Sequence, residues 1–484
     1  MTRLGPPVQR AAPLPHLLPI DAIRSRALPV THGIWVVVVL AAGLILRGLL
    51  LGWPGLHPDE ALYASWALRI ADGSDPALLG VYVDKPPFLL YLLAGLFRLA
   101  GFDGANSPDV ERLVMAGRLA ALLASGASLI LLWLIGRRVY GAAVAVIALA
   151  LFAVSPLAVR LAPTLFTDSW LVLWVLLGLW AAVDRRAMLA GLACGLAYAT
   201  KQQAVLLAPL LLAVFLVVTR GPAAQMAPQP PSAARLTWRW LNGFALVAVI
   251  VLWWDSLRWQ WMPSYWERSA QVYGGVALAA DGELPGRLAQ WGELLGYAFG
   301  GPLWLALGLL LGWALMARLR RAAPGAMIAH WFDWLLLVFV FAYLLLHVAT
   351  NLAPWDRYLL PLVPLLALLL ARAAMWAWRR AFDQAPSSQT RWPKAIVIGA
   401  LAVGLLNAGR AGGLASLPLS DGGVYDGVPQ IAAHMRSAEP AGAVLYHHWL
   451  GWHFGFYLYD APMDLRWWQD PADLARKATA SAGK

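Results

Sequence analysis

Long apolar runs, separated by short loops that carry arginine, dominate this sequence of 484 residues. Hydrophobic residues make up 60% of the chain and charged residues only 13%, whereas soluble domains carry about 25% charged residues. A run of about 17 to 25 apolar residues can cross a bilayer as a helix, because a helix satisfies its own backbone hydrogen bonds. The sequence therefore predicts an all-α protein that crosses a membrane many times.

About eleven apolar runs are predicted to span the membrane. They lie near 34–52, 113–135, 141–158, 168–183, 187–200, 204–219, 240–257, 297–316, 331–350, 358–377 and 395–410. We expect the first run to remain as a span, because no small-residue cleavage site follows it closely. A shorter run at 88–101 carries Arg98 and is typical of an interfacial segment.

The loop arginines predict which side of the membrane each loop occupies. If the segment 88–101 does not cross, Arg137, Arg185, Arg220 and Arg320 all fall on one side, which the positive-inside rule identifies as the cytoplasm. Three regions follow from this topology. They are a cytoplasmic tail at 1–33, a transmembrane domain at 34–410 and an extracytoplasmic domain at 411–484. The transmembrane domain includes a first outer loop at 53–112 and a cytoplasmic linker at 220–239.

The net charge of +11 does not indicate nucleic-acid binding in this chain. Such binding needs basic residues gathered on one soluble face, whereas here they occupy short loops between apolar runs. We therefore expect a membrane and no nucleic acid among the partners.

The two largest predicted outer regions have different local patterns. The loop at 53–112 contains an amphipathic run from Glu60 to Ile70, so we expect helices that lie on the membrane surface. The region at 411–484 is less apolar and predicts a small α/β domain. Its predicted helices are Gln430–Ser437 and Leu450–Tyr459, and its predicted strands are Ala443–Tyr446 and Leu465–Trp468.

Charged residues cluster in four short segments at predicted outer membrane boundaries. The segments are 57–60, 84–87, 167–169 and 356–358. Charges near the apolar phase cost free energy unless they are paired or solvated, so such clusters are candidate functional sites. A purely structural interpretation is also open, since acidic residues favour helix N-termini and long basic side chains extend to lipid headgroups.

These segments, in this order and on a common side, resemble the polyprenyl-phosphate-dependent glycosyltransferases of the GT-C class. That class includes the protein O-mannosyltransferases of glycosyltransferase family 39 and the aminoarabinose transferases. The resemblance covers about 34–220 and 350–370. The residues that carry it are Asp59, Glu60, Asp84, Lys85, Pro86, Pro87, Asp168, Lys201, Gln202, Arg357, Tyr358, Leu360, Pro361 and Pro364.

The resemblance implies an inverting transfer of a sugar from a polyprenyl phosphate to an extracytoplasmic acceptor, which would be lipid A, a cell-envelope glycan or a protein. A lipid-borne donor also explains why the sequence has no Gly-rich phosphate loop. We expect the enzyme in the cytoplasmic (inner) membrane of a bacterium, with its active site on the periplasmic face.

Each candidate residue has an expected role in this transfer. Asp59 is the expected base, with Glu60 and Asp168 orienting it or stabilising the positive sugar centre. The residues expected to bind the donor phosphate are Lys85, Arg357 and Lys201, and those expected to bind other parts of the substrates are Asp84, Tyr358, Gln202 and His57. The sequence predicts no resident cofactor, although Asp84 sits where some relatives have an acidic metal ligand, which leaves a divalent cation open.

Two other classes of protein fit parts of the pattern. A transporter or lipid flippase also has many spans with charges, but its charges would lie at mid-bilayer or at both faces. A catalytically silent scaffold would keep its function after the loss of both Asp59 and Lys85.

The predicted sides of the membrane can be tested with three single cysteine substitutions. Asp75→Cys and Pro440→Cys should react with an impermeant thiol reagent in intact cells, because both positions are predicted outside. Gln225→Cys should not react, since it lies in the predicted cytoplasmic linker. Labelling at 225 without labelling at 440 would reverse the topology.

Overall fold

The computed structural model describes residues 30–52, 55–104, 109–220, 232–299, 327–383, 424–438 and 442–482. These residues are mostly helical, which confirms the predicted all-α membrane fold. The predicted span at 395–410 and nearly all of the one at 297–316 lie outside the described residues. The same holds for most of the N-terminal tail and for residues 221–231 of the cytoplasmic linker.

The part of the chain assigned to the membrane domain forms fourteen helices within its described residues. They are α1 (Val30–Gly48), α2 (Pro58–Ala71), α3 (Phe88–Leu99), α4 (Val110–Tyr140), α5 (Ala142–Ala153), α6 (Pro156–Leu161), α7 (Asp168–Val183), α8 (Ala187–Thr200), α9 (Ala204–Arg220), α10 (Ala233–Arg258), α11 (Tyr265–Tyr273), α12 (Leu284–Tyr297), α13 (Met327–Ala349) and α14 (Leu362–Asp383). By length and composition alone, α4, α10 and α13 can each cross a membrane, and most of the others are shorter apolar helices.

One predicted span is interrupted in the structure. The run at 141–158 was expected to form one helix, but it divides into α5 and α6 at Ser155 and Pro156. Pro156 cannot continue the preceding helix, because it lacks an N–H group and its ring clashes with the turn before it. The Ser155 hydroxyl accepts a hydrogen bond from Ala158 N at 3.4 Å and so caps the new helix.

The loop predicted at 53–112 forms α2 and α3, and α2 is largely buried by other parts of the protein. Only Arg69 of α2 is exposed, and Trp66 is 2% exposed. The helix begins with a capping box, in which His57 Nδ1 accepts a hydrogen bond from Asp59 N and Glu60 accepts one from His57 N. Protein covers this helix because α3 and the C-terminal region both pack against it.

The described C-terminal residues form a small α/β unit that packs onto α2. Its elements are α15 (Val428–Ala438), β1 (Val444–His447), α16 (Gly451–Tyr457), β2 (Asp464–Trp467) and α17 (Pro471–Ala482), with β1 and β2 parallel. On the inner face of α16, His453 Nε2 lies 2.9 Å from Leu56 O, and the Phe456 ring packs against Phe97. The helices and strands predicted at 430–468 are present, each within two residues of its predicted bounds.

Helices α8 and α10 cross at unusually close range. A Cβ atom added at Gly191 would lie 1.9 Å from Trp240 O, and one added at Gly243 would lie 2.3 Å from Met188 O. Both neighbours are backbone atoms, which cannot move aside as a flexible side chain can. Small residues at such crossings allow membrane helices to pack by dispersion alone.

The close crossing predicts that Gly191→Ala destabilises the protein. Since the added methyl group meets backbone, we expect the free energy of unfolding to fall by about 2 kcal/mol or more, measured by denaturant titration in detergent micelles. Gly95→Ala is the matched control, because nothing lies within 4 Å of its added Cβ on α3. Equal stability of the two variants would show that the helices do not approach this closely.

Candidate active site

Asp59 and Arg357 form an ion pair between two distant parts of the chain. Asp59 lies in the first turn of α2, and Arg357 lies in the 3₁₀ turn Asp356–Leu359, just before α14. Arg357 Nη2 donates to Asp59 Oδ2 at 2.6 Å. The Arg357 guanidinium also stacks on the Phe166 ring, with its central carbon 4.9 Å from the ring centre. The pair joins the first outer loop to the entrance of α14.

A second ion pair, between Asp168 and Lys201, is almost completely buried. Lys201 Nζ donates to Asp168 Oδ1 at 2.7 Å, and their side chains are 8% and 1% exposed. Asp168 is the first residue of α7, and Lys201 follows the last residue of α8, so the pair closes this helical hairpin. Lys201 also lies 4.9 Å from the centre of the Tyr358 ring.

The third pair, Asp84 with Lys85, sits between α2 and α3. Lys85 Nζ donates to the Asp84 carboxylate and, at 2.9 Å, to the Tyr273 hydroxyl. The Gln202 side chain donates to the Asp84 carbonyl, which connects this segment to the turn that carries Lys201. All the cations expected to bind phosphate are therefore held by carboxylates that the sequence also singled out.

Electrostatic effects link the three pairs into one cluster. Burial disfavours the charge of Asp59, yet Arg357 and His57 hold the pKa of this carboxyl below its usual value. Burial also opposes the charge of Lys85, but Asp84 and Tyr273 raise its pKa. The pKa of Lys201 is lowered by burial, with Arg357 adding to that effect and Asp168 opposing it. Burial raises the pKa of Asp356 to about 6. At neutral pH Asp59 is therefore ionised opposite Arg357.

Glu60 and His57 act on the backbone around the cluster. Glu60 Oε2 accepts from His57 N at 2.9 Å, and Glu60 Oε1 accepts from Leu165 N at 2.8 Å. Both oxygens of Glu60 therefore tie the start of α2 to the segment before α7. This geometry matches the structural interpretation of Glu60, whose side chain fixes the backbone of the helical turn that carries Asp59.

Three residues near the cluster were missed by the sequence reasoning. Tyr273 reaches Lys85 because α11 ends there, at Gly274 with a φ of 75°. The Gln203 side chain donates to Tyr358 O at 2.8 Å, and the Tyr343 hydroxyl donates to the same oxygen at 2.7 Å. No sequence motif marks Tyr273 or Tyr343. Gln203 directly follows Gln202, and this position next to a candidate residue was the one sequence signal that could have identified Gln203.

A metal site is not formed by the described side chains in their present arrangement. Among them, no three His, Cys, Asp or Glu residues converge closely enough to hold an ion. Asp84, the residue at which the sequence left a divalent cation open, is bound to Lys85 here.

The buried Asp168–Lys201 pair predicts a non-additive effect on stability. Asp168→Ala should lower the free energy of unfolding by about 3–5 kcal/mol, because it leaves a buried ammonium group without its counter-charge. The double variant Asp168→Leu, Lys201→Met should recover to within about 1 kcal/mol of the wild type. Denaturant titration in detergent measures both values. A stable Asp168→Ala protein would mean that water reaches Lys201.

This chain is similar to a known protein family in sequence and to solved proteins in fold. Residues 84–254 match the family model for dolichyl-phosphate-mannose-protein mannosyltransferase. The structure of ArnT from Cupriavidus metallidurans bound to undecaprenyl phosphate is similar, with a TM-score of 0.61 and 17% identity over 92% of this chain and 88% of ArnT. AglB, the oligosaccharyltransferase of Archaeoglobus fulgidus, gives 0.56 and 12% over 91% of this chain and 64% of AglB. No curated protein matches by sequence.

At these identities the structural likeness shows a shared fold, and the family match adds a sequence similarity to a mannosyltransferase family over residues 84–254. The match includes the Asp84–Lys85 and Asp168–Lys201 pairs, so two of the three pairs lie within the matched residues. The chain thus shares the fold of these solved enzymes, and the family match over residues 84–254 supports the resemblance of its sequence to the polyprenyl-phosphate-dependent glycosyltransferases of the GT-C class.

Proposed function

We propose that this enzyme moves one sugar from a polyprenyl phosphate to an acceptor at the extracytoplasmic face of the bacterial cytoplasmic membrane, with inversion at the anomeric carbon. The acceptor is a lipid, a glycan or a protein of the cell envelope. ArnT was solved with undecaprenyl phosphate and AglB with dolichol-phosphate, which supports a lipid-phosphate donor for the shared fold.

The observation that carries the proposal is the convergence of three cations with four carboxylates. Lys85, Lys201 and Arg357 lie among Asp59, Asp84, Asp168 and Asp356, although these residues come from five separate segments of the chain. Such a concentration of buried charge costs free energy near a membrane, and its presence therefore indicates a functional site. Cations suit a departing phosphate, and carboxylates suit a positive sugar centre and an acceptor proton.

The transfer is a single displacement in which the bond between the anomeric carbon and the donor phosphate oxygen breaks. The acceptor oxygen forms the new bond on the opposite face, and polyprenyl phosphate leaves with the bonding electron pair. Lys85 and Arg357 hold that phosphate, and Arg357 offers a planar fork for two of its oxygens. Lys201 adds positive charge to the site, and Asp168 holds the Lys201 ammonium group in position.

Donor binding would also activate Asp59. In the structure Arg357 pulls the pKa of Asp59 down, which makes this carboxylate a weak base. When Arg357 turns to the donor phosphate, that effect weakens, and burial then raises the pKa of Asp59. The carboxylate, which exposes 25% of its side chain, becomes better able to take the proton of an acceptor hydroxyl. The base is thereby activated only when the donor is present.

The remaining candidate residues shape the site. Asp84 sets the position of Lys85, and Gln202 holds the backbone of Asp84. Tyr358 offers a ring beside Lys201 and the start of α14. His57 and Glu60 fix the first turn of α2, which carries Asp59. We propose that these groups define the donor and acceptor surfaces around Asp59 and Arg357.

The proposal is tested by the release of free polyprenyl phosphate in liposomes. Purified protein receives a panel of polyprenyl-phosphate sugars together with cell-envelope acceptor. We expect release from one sugar class, with a loss of about 100-fold or more in Asp59→Ala and Lys85→Ala, since both remove groups that act in the transition state. Glu267→Gln is the matched control, because Glu267 is an exposed carboxylate on α11 and its loss should leave the rate unchanged.

The same assay separates acceptor types and rival functions. If the acceptor is a phosphate, no proton needs to be removed, so Asp59→Asn should keep far more activity than it would with a hydroxyl acceptor. Movement of the lipid across the bilayer, without release of polyprenyl phosphate from any donor, would overturn the transferase in favour of a flippase.

A further inference from the structure

A group of arginines lines a cleft at the end of the α7–α8 hairpin opposite the ion-pair cluster. The turn 184–186 joins the two helices there. The cleft has a volume of about 490 Å³, and it is formed by Arg185, Arg186 and Arg239 together with Ala187, Met188, Leu189 and Leu236. It therefore combines three cations with an apolar wall.

Arg185 occupies a backbone position that favours glycine. It lies two residues after the end of α7 and has a φ of 60°. The hydrogen bonds from Arg186 N to Ala181 O and from Arg185 N to Ala182 O form a Schellman motif around it. Glycine adopts this left-handed conformation without the strain that a Cβ atom causes. An arginine held there against local preference suggests that its side chain has a function.

The Arg185 side chain has an unused donor. Its Nη2 is buried and has no hydrogen-bond partner in the described part of the chain. The neighbouring carboxylate of Asp184 is engaged by Arg138 at 3.6 Å and by Arg186 at 3.3 Å. Burial, together with the charge of Arg138, lowers the pKa of Arg185. A negatively charged ligand would accept a hydrogen bond from Arg185 Nη2 and would compensate the positive charge of the guanidinium group.

The length of the hairpin favours a ligand that comes from the bilayer. Helices α7 and α8 contain 16 and 14 residues, which corresponds to about 24 and 21 Å, whereas the apolar core of a bilayer is about 30 Å thick. If the ion-pair cluster lies at one boundary of the apolar core, the turn 184–186 does not reach the opposite boundary. Cations at that depth attract lipid phosphates inward, and Met188, Leu189 and Leu236 can contact acyl chains.

We propose that this cleft binds the phosphate of an anionic phospholipid from the leaflet that the topology assigns to the cytoplasm. Arg185 and Arg239 contact the phosphate oxygens, for which guanidinium groups are well suited. Arg186, partly held by Asp184, contributes charge at the rim. The site lies apart from the catalytic cluster and is independent of the transferase proposal.

The experiment is a lipid titration of the purified full-length protein in detergent, read out by native mass spectrometry. The double variant Arg185→Gly, Arg239→Gln removes two cations, and glycine at 185 suits the left-handed backbone, so the fold is retained. At about fivefold per arginine, its affinity for phosphatidylglycerol should fall roughly 25-fold. The control Arg235→Gln removes the same type of charge from the start of α10, outside the cleft lining, and should change affinity less than twofold.

Two results would overturn the proposal. One is an unchanged phosphatidylglycerol affinity in the double variant. The other is displacement of the lipid by an equal concentration of inorganic phosphate, since this would identify a site for a soluble anion. Preference for phosphatidylglycerol over phosphatidylcholine, lost in the double variant and kept in Arg235→Gln, supports it.

Discussion

Pairing of buried charges is the constraint on which this structure depends. A carboxylate or a basic group at the membrane boundary is costly to desolvate, so each must find a partner of opposite charge. The pairs Asp59–Arg357 and Asp168–Lys201 meet this need by joining segments that are separated in sequence. Asp84 and Lys85 are neighbours in sequence that pair with each other, and Lys85 also donates to the Tyr273 hydroxyl. The charges that make the site chemically useful therefore also fix the arrangement of α2, α7, α8 and α14.

Much of the fold and the candidate site could be predicted from sequence, because both depend on strong local signals. Apolar runs of sufficient length indicate the membrane helices, and rare charges beside them indicate the cluster. The resemblance then placed Asp59, Lys85 and Arg357 in a common site, and the structure brings them within electrostatic range of one another. Their catalytic roles, and the side of the membrane on which they act, remain proposals.

Features that depend on packing between distant segments could not be predicted. The pattern of α2 indicated an exposed face, but a helix more than 350 residues later in the chain covers it. Tyr273 became part of the site only through the fold of its loop, and nothing in its neighbours marked it. Glu60 was expected to orient Asp59 or to stabilise the positive sugar centre, and in the structure its oxygens accept from the backbone amides of His57 and Leu165. In each case the partner, rather than the residue itself, determined the role.

The contact between α16 and α2 has a consequence for how the enzyme is made. The helix that carries Asp59 is synthesised well before the helix that covers it, which follows more than 350 residues later. His453 and Leu56, which join the two, are separated by 397 positions. Until α16 docks, the apolar side chains of α2 lack their cover. The packing around α2 therefore cannot be completed before synthesis has passed Tyr457 and this segment has reached α2.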